Sequence, residues 1–234
     1  MTSEPPRFIP RSRIGDTVER TAEILKARIL EGSLAPGQRL ISQDLMDELS
    51  VSRGSLREAF HLLASDRLVD LIPNRGAIVR RLTADDVIHL FQIREALEGQ
   101  AARLAAELID SSGARASFAA LAEEGRQYSG QADLAGFIPY NRRFHQAIVA
   151  MSGNTELAEL IDRYQLAVFM HLLHRSVGTR RLVQESVDHH DAIAEAILSG
   201  DGEAAESAMR AHLRHSAEGI VERLAAGAGG LSRR

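Results

Sequence analysis

The chain has 234 residues, of which 44% are hydrophobic and 26% are charged, and it contains no cysteine. This composition is typical of a globular protein, and the lack of cysteine excludes disulfides, thiolate metal ligands and cysteine nucleophiles. The net charge is −4, so any contact with nucleic acid must come from a local basic patch. The beginning of the chain lacks the apolar segment of a secretory signal, and no apolar run approaches the ~18 residues of a membrane span. We therefore expect a soluble, cytoplasmic protein.

The first third of the chain predicts a short series of helices. Residues 1–13 contain three prolines and predict a flexible arm. A first helix is predicted from Asp16 to about residue 31, with apolar residues at helical spacing. Ser42 is then predicted to cap a second, short helix that ends near Leu49.

The stretch VSRGSLREAF, residues 51–60, predicts a third helix with Ser52 as its N-cap. Arg53 and Arg57 are four residues apart and share one face of this helix, while apolar residues occupy another. Such a helix can be an ordinary amphipathic surface helix, or a DNA recognition helix whose guanidiniums reach guanine edges. Only three residues separate it from the second helix, which favours a helix-turn-helix.

Two β-rich segments follow the third helix, on either side of the tip Pro73-Asn74-Arg75-Gly76. This pattern predicts a β-hairpin, and a hairpin directly after a helix-turn-helix is a wing. Arg75 and Gly76 can approach a phosphate or the minor groove, although a turn arginine can also be simply solvated. Residues 14–82 are therefore predicted as a winged helix-turn-helix DNA-binding domain, with three helices and a hairpin wing.

The remainder of the chain, residues 83–226, predicts an antiparallel bundle of six helices. Thr83 caps a long first helix to about Ile109, and breaks rich in glycine and serine delimit five further segments. Pro139 lies inside the third of these helices and is expected to kink it or delay its start. The terminal residues 227–234 predict a flexible tail. The predicted fold class is mostly α.

Polar side chains suited to a metal occur on three of the predicted helices. Asn141 and His145 are one turn apart on one helix, His190 lies on the next-to-last helix, and His212 lies on the last. Neutral imidazoles with one oxygen ligand are a common divalent-metal site in a bundle core. The spacing alone favours surface or hydrogen-bonded histidines, because it does not show that the four side chains converge.

The ordered segments GSLAPGQRL, VSRGSLREAF and LVDLIPNRGAIV resemble the DNA-binding domain of the GntR family of bacterial transcription regulators. The resemblance implies base contacts from Arg53 and Arg57, and phosphate contacts from Ser52, Ser55, Arg75 and Gly76.

Two positions depart from that family pattern. Gln43 stands where the second helix often has an arginine, which puts the DNA contact of that helix in doubt. Arg67 replaces the usual glycine before the first wing strand. A non-glycine residue in a left-handed conformation would cost about 1 kcal/mol, unless the turn adopts another shape.

The segments IREALEGQAARLAAELI, NRRFHQAIVAMSGN and HDAIAEAILSGDGEAAESAMRAHL resemble the FCD effector domain of FadR-type GntR regulators, in the shorter, vanillate-regulator-like branch. The resemblance implies a divalent metal bound by Asn141, His145, His190 and His212. Asn141 replaces an acidic residue of the family, and a neutral amide favours Zn²⁺ or Ni²⁺ over hard cations. The adjacent His189 is expected beside a ligand histidine or facing solvent.

Arg94 matches an arginine that helps to bind an acidic ligand in some relatives. It lies four residues before Glu98, so an ion pair within the bundle is an equal alternative. A metal with open positions beside an arginine suits a small carboxylate effector, of the sugar acid or hydroxy acid class. Three further histidines could line the same cavity or lie outside it, namely His171, His174 and His215.

The expected function is that of a homodimeric, sequence-specific transcription regulator, a repressor, whose operator binding is controlled by this acid. Two recognition helices would enter successive major grooves of a near-palindromic operator. Two alternatives are a metal-dependent enzyme with an accessory DNA-binding head, and a constitutive repressor with a purely structural metal. The enzyme is disfavoured because these motifs offer no obvious general base.

Overall fold

A computed structural model describes residues 14–73, 75–111, 113–172 and 179–231. They form two compact units, which divide between Arg81 and Leu82. Within the described ranges there are nine helices and three short strands, so the predicted mostly α fold class is confirmed. None of the helices in these ranges combines the length and the apolar character needed to cross a membrane. The predicted flexible arm, residues 1–13, lies outside the described residues.

The N-terminal unit is a winged helix-turn-helix. Its helices are α1 (Ile14–Leu30), α2 (Ser42–Leu49) and α3 (Arg53–Ser65), and its strands are β1 (Arg39–Leu40), β2 (Val69–Ile72) and β3 (Gly76–Val79). The strands form one antiparallel sheet in the order β1-β3-β2. The hairpin of β2 and β3 was predicted, whereas β1 was not, and it pairs with β3 through Arg39–Ile78 and Leu40–Ala77.

The core of this unit lies between α1 and α3. Leu25 and Ile29 of α1, and Leu56 and Leu63 of α3, are each at most 1% exposed. These positions recur at helical spacing, so each helix buries one stripe. Burying a leucine or isoleucine side chain contributes about 1.5–3 kcal/mol. The apolar back of α3 is therefore fixed against α1, and its opposite face is left to solvent.

The starts of α2 and α3 differ from each other in how they are capped. Ser52 caps α3 as predicted, since its Oγ accepts a hydrogen bond from the backbone N–H of Ser55 at 3.1 Å. The prediction that Ser42 caps α2 is wrong, because Ile41 is the extended N-cap residue and makes no side-chain cap bond. Ser42 is the first helical residue, and its hydroxyl lies beside Gly76 of the wing.

Arg67, which replaces the usual glycine, ends α3 in a left-handed conformation with a φ of 58°. Its N–H donates to Ala64 O at 3.0 Å, and the N–H of Leu68 donates to Leu63 O at 2.9 Å. These two bonds are those of a Schellman motif, whose left-handed position is usually glycine. The turn keeps this shape, and the Cβ of Arg67 makes it about 1–2 kcal/mol less favourable.

The described residues of the C-terminal unit form a bundle of six helices, as predicted. They are α4 (Ala84–Leu108), α5 (Arg115–Arg126), α6 (Leu134–Met151), α7 (Thr155–Leu172), α8 (Thr179–Ser199) and α9 (Gly202–Leu231). α9 packs along both α4 and α8. α4 begins with a capping box, in which Thr83 Oγ1 accepts from the N–H of Asp86 at 3.1 Å and Asp86 Oδ2 accepts from the N–H of Thr83 at 3.0 Å.

The helix ends of this unit bear on two of the predictions. α6 begins at Leu134, where the side chain of Asp133 caps it, so Pro139 does not delay its start. Pro139 is the sixth residue of α6, where it cannot donate the N–H of a helical hydrogen bond, and the predicted kink stays a prediction. α9 continues through residues 227–231, which were predicted as part of a flexible tail. Three of these five residues are glycine, the weakest helix former after proline, so local propensity does not explain the extension.

Candidate functional site

The exposed face of α3 opens onto a groove that is also lined by α2 and the wing. Arg53 and Arg57 are exposed on the first turns of α3 and line this groove. Gln43 of α2 lines it as well, as do Arg75 and Gly76 at the wing tip. The structure therefore brings five of the predicted DNA-contacting residues to one surface, which we call the reading groove.

Two further basic side chains of the reading groove were missed in the sequence. Arg39 of β1 and His61 of α3 also line it. Arg39 Nη2 donates a hydrogen bond to the carbonyl oxygen of Arg75 at 3.4 Å, which ties β1 to the wing tip. A two-residue strand has no alternating pattern, so no sequence signal pointed to Arg39. The position of His61, two turns after Arg53 and one after Arg57, was a signal that helical spacing offered.

The predicted serine and glutamine contacts have partners within the protein. Ser55 is only 9% exposed, and its Oγ lies 2.9 Å from Ser52 Oγ, so both hydroxyls belong to the cap of α3. Gln43 Nε2 lies 3.2 Å from each carboxylate oxygen of Asp47, one turn later. DNA contacts from these three side chains stay predictions.

Histidines from three helices meet inside the C-terminal unit. His145 of α6, His190 of α8 and His212 of α9 are each at most 3% exposed, and one ring nitrogen of each lies within 4.8 Å of the others. The Nε2 atoms of His145 and His212 are 3.2 Å apart. Two nitrogens that bind one tetrahedral zinc at about 2.0–2.1 Å lie about 3.3 Å from each other. The spacing therefore fits a shared metal ion.

The chemistry of these histidines also fits a metal. Burial, and after it the neighbouring imidazoles, hold the pKa of His190 and of His212 well below the usual histidine range. Neutral imidazole is the form that binds metals. Among the described residues, neither ring nitrogen of His190 has a hydrogen-bond partner, and neither does His212 Nδ1. A buried polar atom without a partner costs about 1–3 kcal/mol, and a divalent ion would satisfy such atoms.

A buried carboxylate contacts the third histidine. Glu98 of α4 is 1% exposed, its Oε1 accepts from Arg94 Nε at 2.6 Å, and its Oε2 lies 2.7 Å from His145 Nδ1. Burial raises the pKa of Glu98, but the guanidinium of Arg94 and the contacting imidazole of His145 outweigh it and bring this pKa to about 2. An ionised carboxylate only accepts, so Nδ1 of His145 carries the proton.

The ion pair between Arg94 and Glu98 is thus present. The contact of Glu98 with His145 was missed, since 47 positions separate the two residues.

A cavity of about 50 Å³ adjoins the histidines. Its lining includes Arg94, Asn141, His145 and His212, so the predicted effector residue and three of the four predicted metal ligands meet there. Its other polar lining residues, which the sequence analysis did not single out, are Ser186, Ser216 and Arg223. Ser186 lies one turn before His190, and Ser216 lies one turn after His212, so helical spacing from the histidines was the available signal.

The remaining histidines have different environments. His189 is half-buried, with its ring centroid 5.7 Å from that of His212 and 5.1 Å from that of His215. His215 Nε2 lies 2.9 Å from a carboxylate oxygen of Glu185. The side chain of His171 and the whole of His174 lie outside the described residues.

A winged helix-turn-helix with arginines in its reading groove, followed by a helical bundle with a buried polar site, defines a class of protein: a DNA-binding transcription regulator with an effector domain. Sequence comparison agrees. The pattern of bacterial regulatory proteins of the gntR family matches residues 17–79, and the pattern of the FCD domain matches residues 89–215. The chain therefore belongs to the GntR family of bacterial transcription regulators, in the group that carries an FCD domain.

Several relatives cover most of this chain. It is 32% identical over 198 residues to an HTH-type transcriptional regulator in an unstable DNA locus of Streptomyces ambofaciens. This alignment covers 81% of this chain and 79% of the relative. It is 28% identical to the HTH-type transcriptional repressor RspR of Escherichia coli (strain K12), over 84% of this chain and 86% of RspR. A solved structure of a GntR transcriptional regulator from Rhodococcus sp. RHA1 is similar, with a TM-score of 0.71 and 27% identity over 88% of this chain and 98% of that chain.

The resemblance to GntR regulators with an FCD domain is thereby confirmed. The family and these relatives are transcription regulators and not enzymes, so the alternative of a metal-dependent enzyme is wrong.

Proposed function

We propose that the protein is a homodimeric repressor whose operator binding is controlled by a small carboxylic acid, bound beside a divalent metal ion in the C-terminal unit. One observation carries the proposal: three buried histidines converge where Arg94 and Asn141 line a cavity. The relative RspR, named a repressor, supports repression as the mode of action.

The ligand atoms favour Zn²⁺ or Ni²⁺. Three imidazoles and one carboxamide are all neutral, and imidazole suits these ions better than it suits magnesium or calcium. Glu98 carries a negative charge nearby, but the guanidinium of Arg94 offsets it. A bound divalent ion would therefore keep most of its charge and would offer open coordination positions to a carboxylate. This charge balance is what favours an acid as the effector.

The size of the cavity narrows the class of acid. Its volume is about 50 Å³, and one water needs about 10–15 Å³, so it accommodates a molecule of few heavy atoms. A short hydroxy acid fits this space, whereas a sugar acid would require the bundle to open. Arg94 donates from Nε to Glu98, and the guanidinium has further N–H groups that can donate to the carboxylate of an acid. Ser186 and Ser216 offer hydroxyls to the hydroxyl group of the acid.

The proposed DNA contact is tested with operator DNA that the parent protein selects from a random pool. Replacing Arg53 or Arg57 with alanine should cost about 1–3 kcal/mol for each guanine contact and relax the preference at that base pair. Arg20→Ala removes an exposed arginine of α1, outside the reading groove, and serves as the matched control. Unchanged affinity in both groove variants would overturn the assignment of α3 as the recognition helix.

Control by the effector is tested in two steps. Short hydroxy acids are first screened for a rise in the melting temperature of the zinc-loaded protein, because a ligand of the folded state stabilises it. The operator affinity is then measured with and without the acid that binds. A change in affinity supports the proposal. Unchanged affinity would leave a constitutive repressor with a structural metal.

A further inference from the structure

Glu98 is placed to do more than pair with Arg94. We propose that Glu98 is a positioning residue of the metal site, because its carboxylate holds the Nδ1–H of His145 and thereby aims Nε2 of that ring at the two other histidines. The inference rests on the metal site proposed above and adds a residue that is not itself a ligand.

The contact with Glu98 leaves His145 a single ring nitrogen with which to bind a metal. A histidine ring can present either nitrogen to a metal, and the hydrogen bond made by the other nitrogen decides which. Glu98 Oε2 lies 2.7 Å from Nδ1, and on the other side of the ring Nε2 lies 3.2 Å from Nε2 of His212. The ring is therefore oriented with its free nitrogen in the cluster. A carboxylate on the far nitrogen also makes the imidazole a stronger donor to the metal.

Glu98 is itself held in place. Arg94, 6% exposed, donates from Nε to Glu98 Oε1 at 2.6 Å, and its guanidinium carbon lies 4.7 Å from the ring centroid of Phe91. Each oxygen of the carboxylate thus has its own donor. The connection from Phe91 through Arg94 and Glu98 fixes His145 to α4, although the histidine belongs to α6.

The other two histidines lack this support in the described part of the chain. Neither nitrogen of His190 has a hydrogen-bond partner there, and neither does Nδ1 of His212. His145 is thus the one of the three that a carboxylate orients before any metal arrives. Replacing Glu98 should for this reason weaken metal binding, although the three imidazoles remain.

The test compares Glu98→Gln with Glu107→Gln. Glutamine keeps the shape of the side chain but has one acceptor oxygen, whereas Arg94 Nε–H and His145 Nδ1–H both need an acceptor. Glu107 is the matched control, because it pairs with Arg103 Nε at 3.0 Å on the same helix, four residues apart, on the exposed surface. The zinc affinity is measured by competition with a chromophoric chelator, and the visible spectrum is recorded with Co²⁺ in place of zinc.

We expect Glu98→Gln to lower the zinc affinity about 10- to 100-fold and to shift the cobalt bands, with Glu107→Gln within about twofold of the parent. Parent-like zinc affinity and parent-like bands in folded Glu98→Gln would overturn the inference and leave the metal site standing. A parent protein that binds no zinc would overturn the metal site, and this inference with it.

A second measurement uses the parent protein alone, so it does not depend on the folding of Glu98→Gln, which leaves the buried Arg94 without its counter-charge. Long-range proton–nitrogen spectra of the histidine-labelled, metal-free parent report which ring nitrogen carries the proton. We expect His145 to carry it on Nδ1 and to shift its Nε2 resonance when zinc is added. A proton on Nε2 of His145 in the neutral ring, or zinc on its Nδ1, would overturn the inference.

Discussion

Replacing His190 with leucine should leave the metal-free protein as stable as the parent or make it more stable, although the residue is buried. His190 is 2% exposed and stacks on Phe144 with ring centroids 4.2 Å apart and an angle of 14°. Neither of its ring nitrogens has a hydrogen-bond partner among the described residues. Leucine has a similar volume and no polar atom, so it removes unpartnered nitrogens without opening a cavity.

Two opposing terms set the size of this effect. An unpartnered buried polar group costs about 1–3 kcal/mol, and leucine removes that cost. The lost ring stacking is worth about 0.5–1.5 kcal/mol. The balance ranges from a loss of about 0.5 kcal/mol to a gain of about 2.5 kcal/mol, centred on a gain of about 1 kcal/mol. For a chain of this size each kcal/mol shifts the melting temperature by about 2–4 °C.

The assay is thermal and urea unfolding of the full chain, once with a chelator and once with zinc. In chelator, His190→Leu should melt at or above the parent, and zinc should no longer raise its melting temperature as it raises that of the parent. His190→Ala is the contrasting variant, since it removes the same nitrogens but opens a cavity. Its free energy of unfolding should be about 2–4 kcal/mol lower than that of His190→Leu. A loss of more than about 1 kcal/mol for the leucine variant in chelator would refute the reasoning, because the ring nitrogens would then have partners.

Three other substitutions test separate features. Gly76→Ala should destabilise the N-terminal unit by about 1–3 kcal/mol, because φ is +91° and the new Cβ would collide with the carbonyl oxygen of Leu40; urea unfolding measures the loss. Arg67→Gly should stabilise the same unit by up to about 1 kcal/mol, since the left-handed strain of about 1–2 kcal/mol exceeds the entropy cost of glycine, about 0.5–1 kcal/mol. Asn141→Asp should tighten metal binding, more for Mn²⁺ than for Zn²⁺, because the carboxylate adds a charged oxygen ligand; calorimetric titration measures both.

Each of the three has a control or an outcome that would contradict it. Gly113 also has a positive φ, of +70°, but a Cβ there would meet nothing within 4 Å, so Gly113→Ala isolates backbone strain from collision. An equal loss in both glycine variants would show that the collision is not the cause. No gain in Arg67→Gly would contradict the strain assigned to the turn. Unchanged Mn²⁺ affinity in Asn141→Asp would show that position 141 does not bind the metal.

The parts of the fold that the sequence predicted are those governed by neighbours in the chain. Ser52 and Thr83 cap their helices because a serine or threonine hydroxyl accepts from a backbone N–H only three residues away. The wing tip was predicted for the same reason, from the turn residues around Gly76. Ser42 had the same local pattern but faces the wing, so a tertiary contact decided its role. β1 was missed because the strand that it pairs with, β3, lies far along the chain.

The candidate metal site shows the same division. Helical spacing placed Asn141 and His145 on one face, and the predicted helices placed His190 and His212 on two others. Only the family resemblance implied that they bind one metal, because no spacing rule states that three helices bring their histidines together. Glu98 was interpreted as a partner of Arg94, four residues away. Its second partner, on a different helix, became visible only when the packing of α4 against α6 was known.

Long stretches of chain separate the three histidines, from 145 to 190 and from 190 to 212. An ion shared by them would act as a reversible cross-link that restricts the unfolded chain, as a disulfide does in proteins with cysteine. For loops of about 45 and 22 residues the chain-entropy relation gives about 4 and about 3 kcal/mol. Cells degrade proteins that unfold often. The lifetime of this regulator in the cell would then follow the supply of metal, whether or not an acid is present.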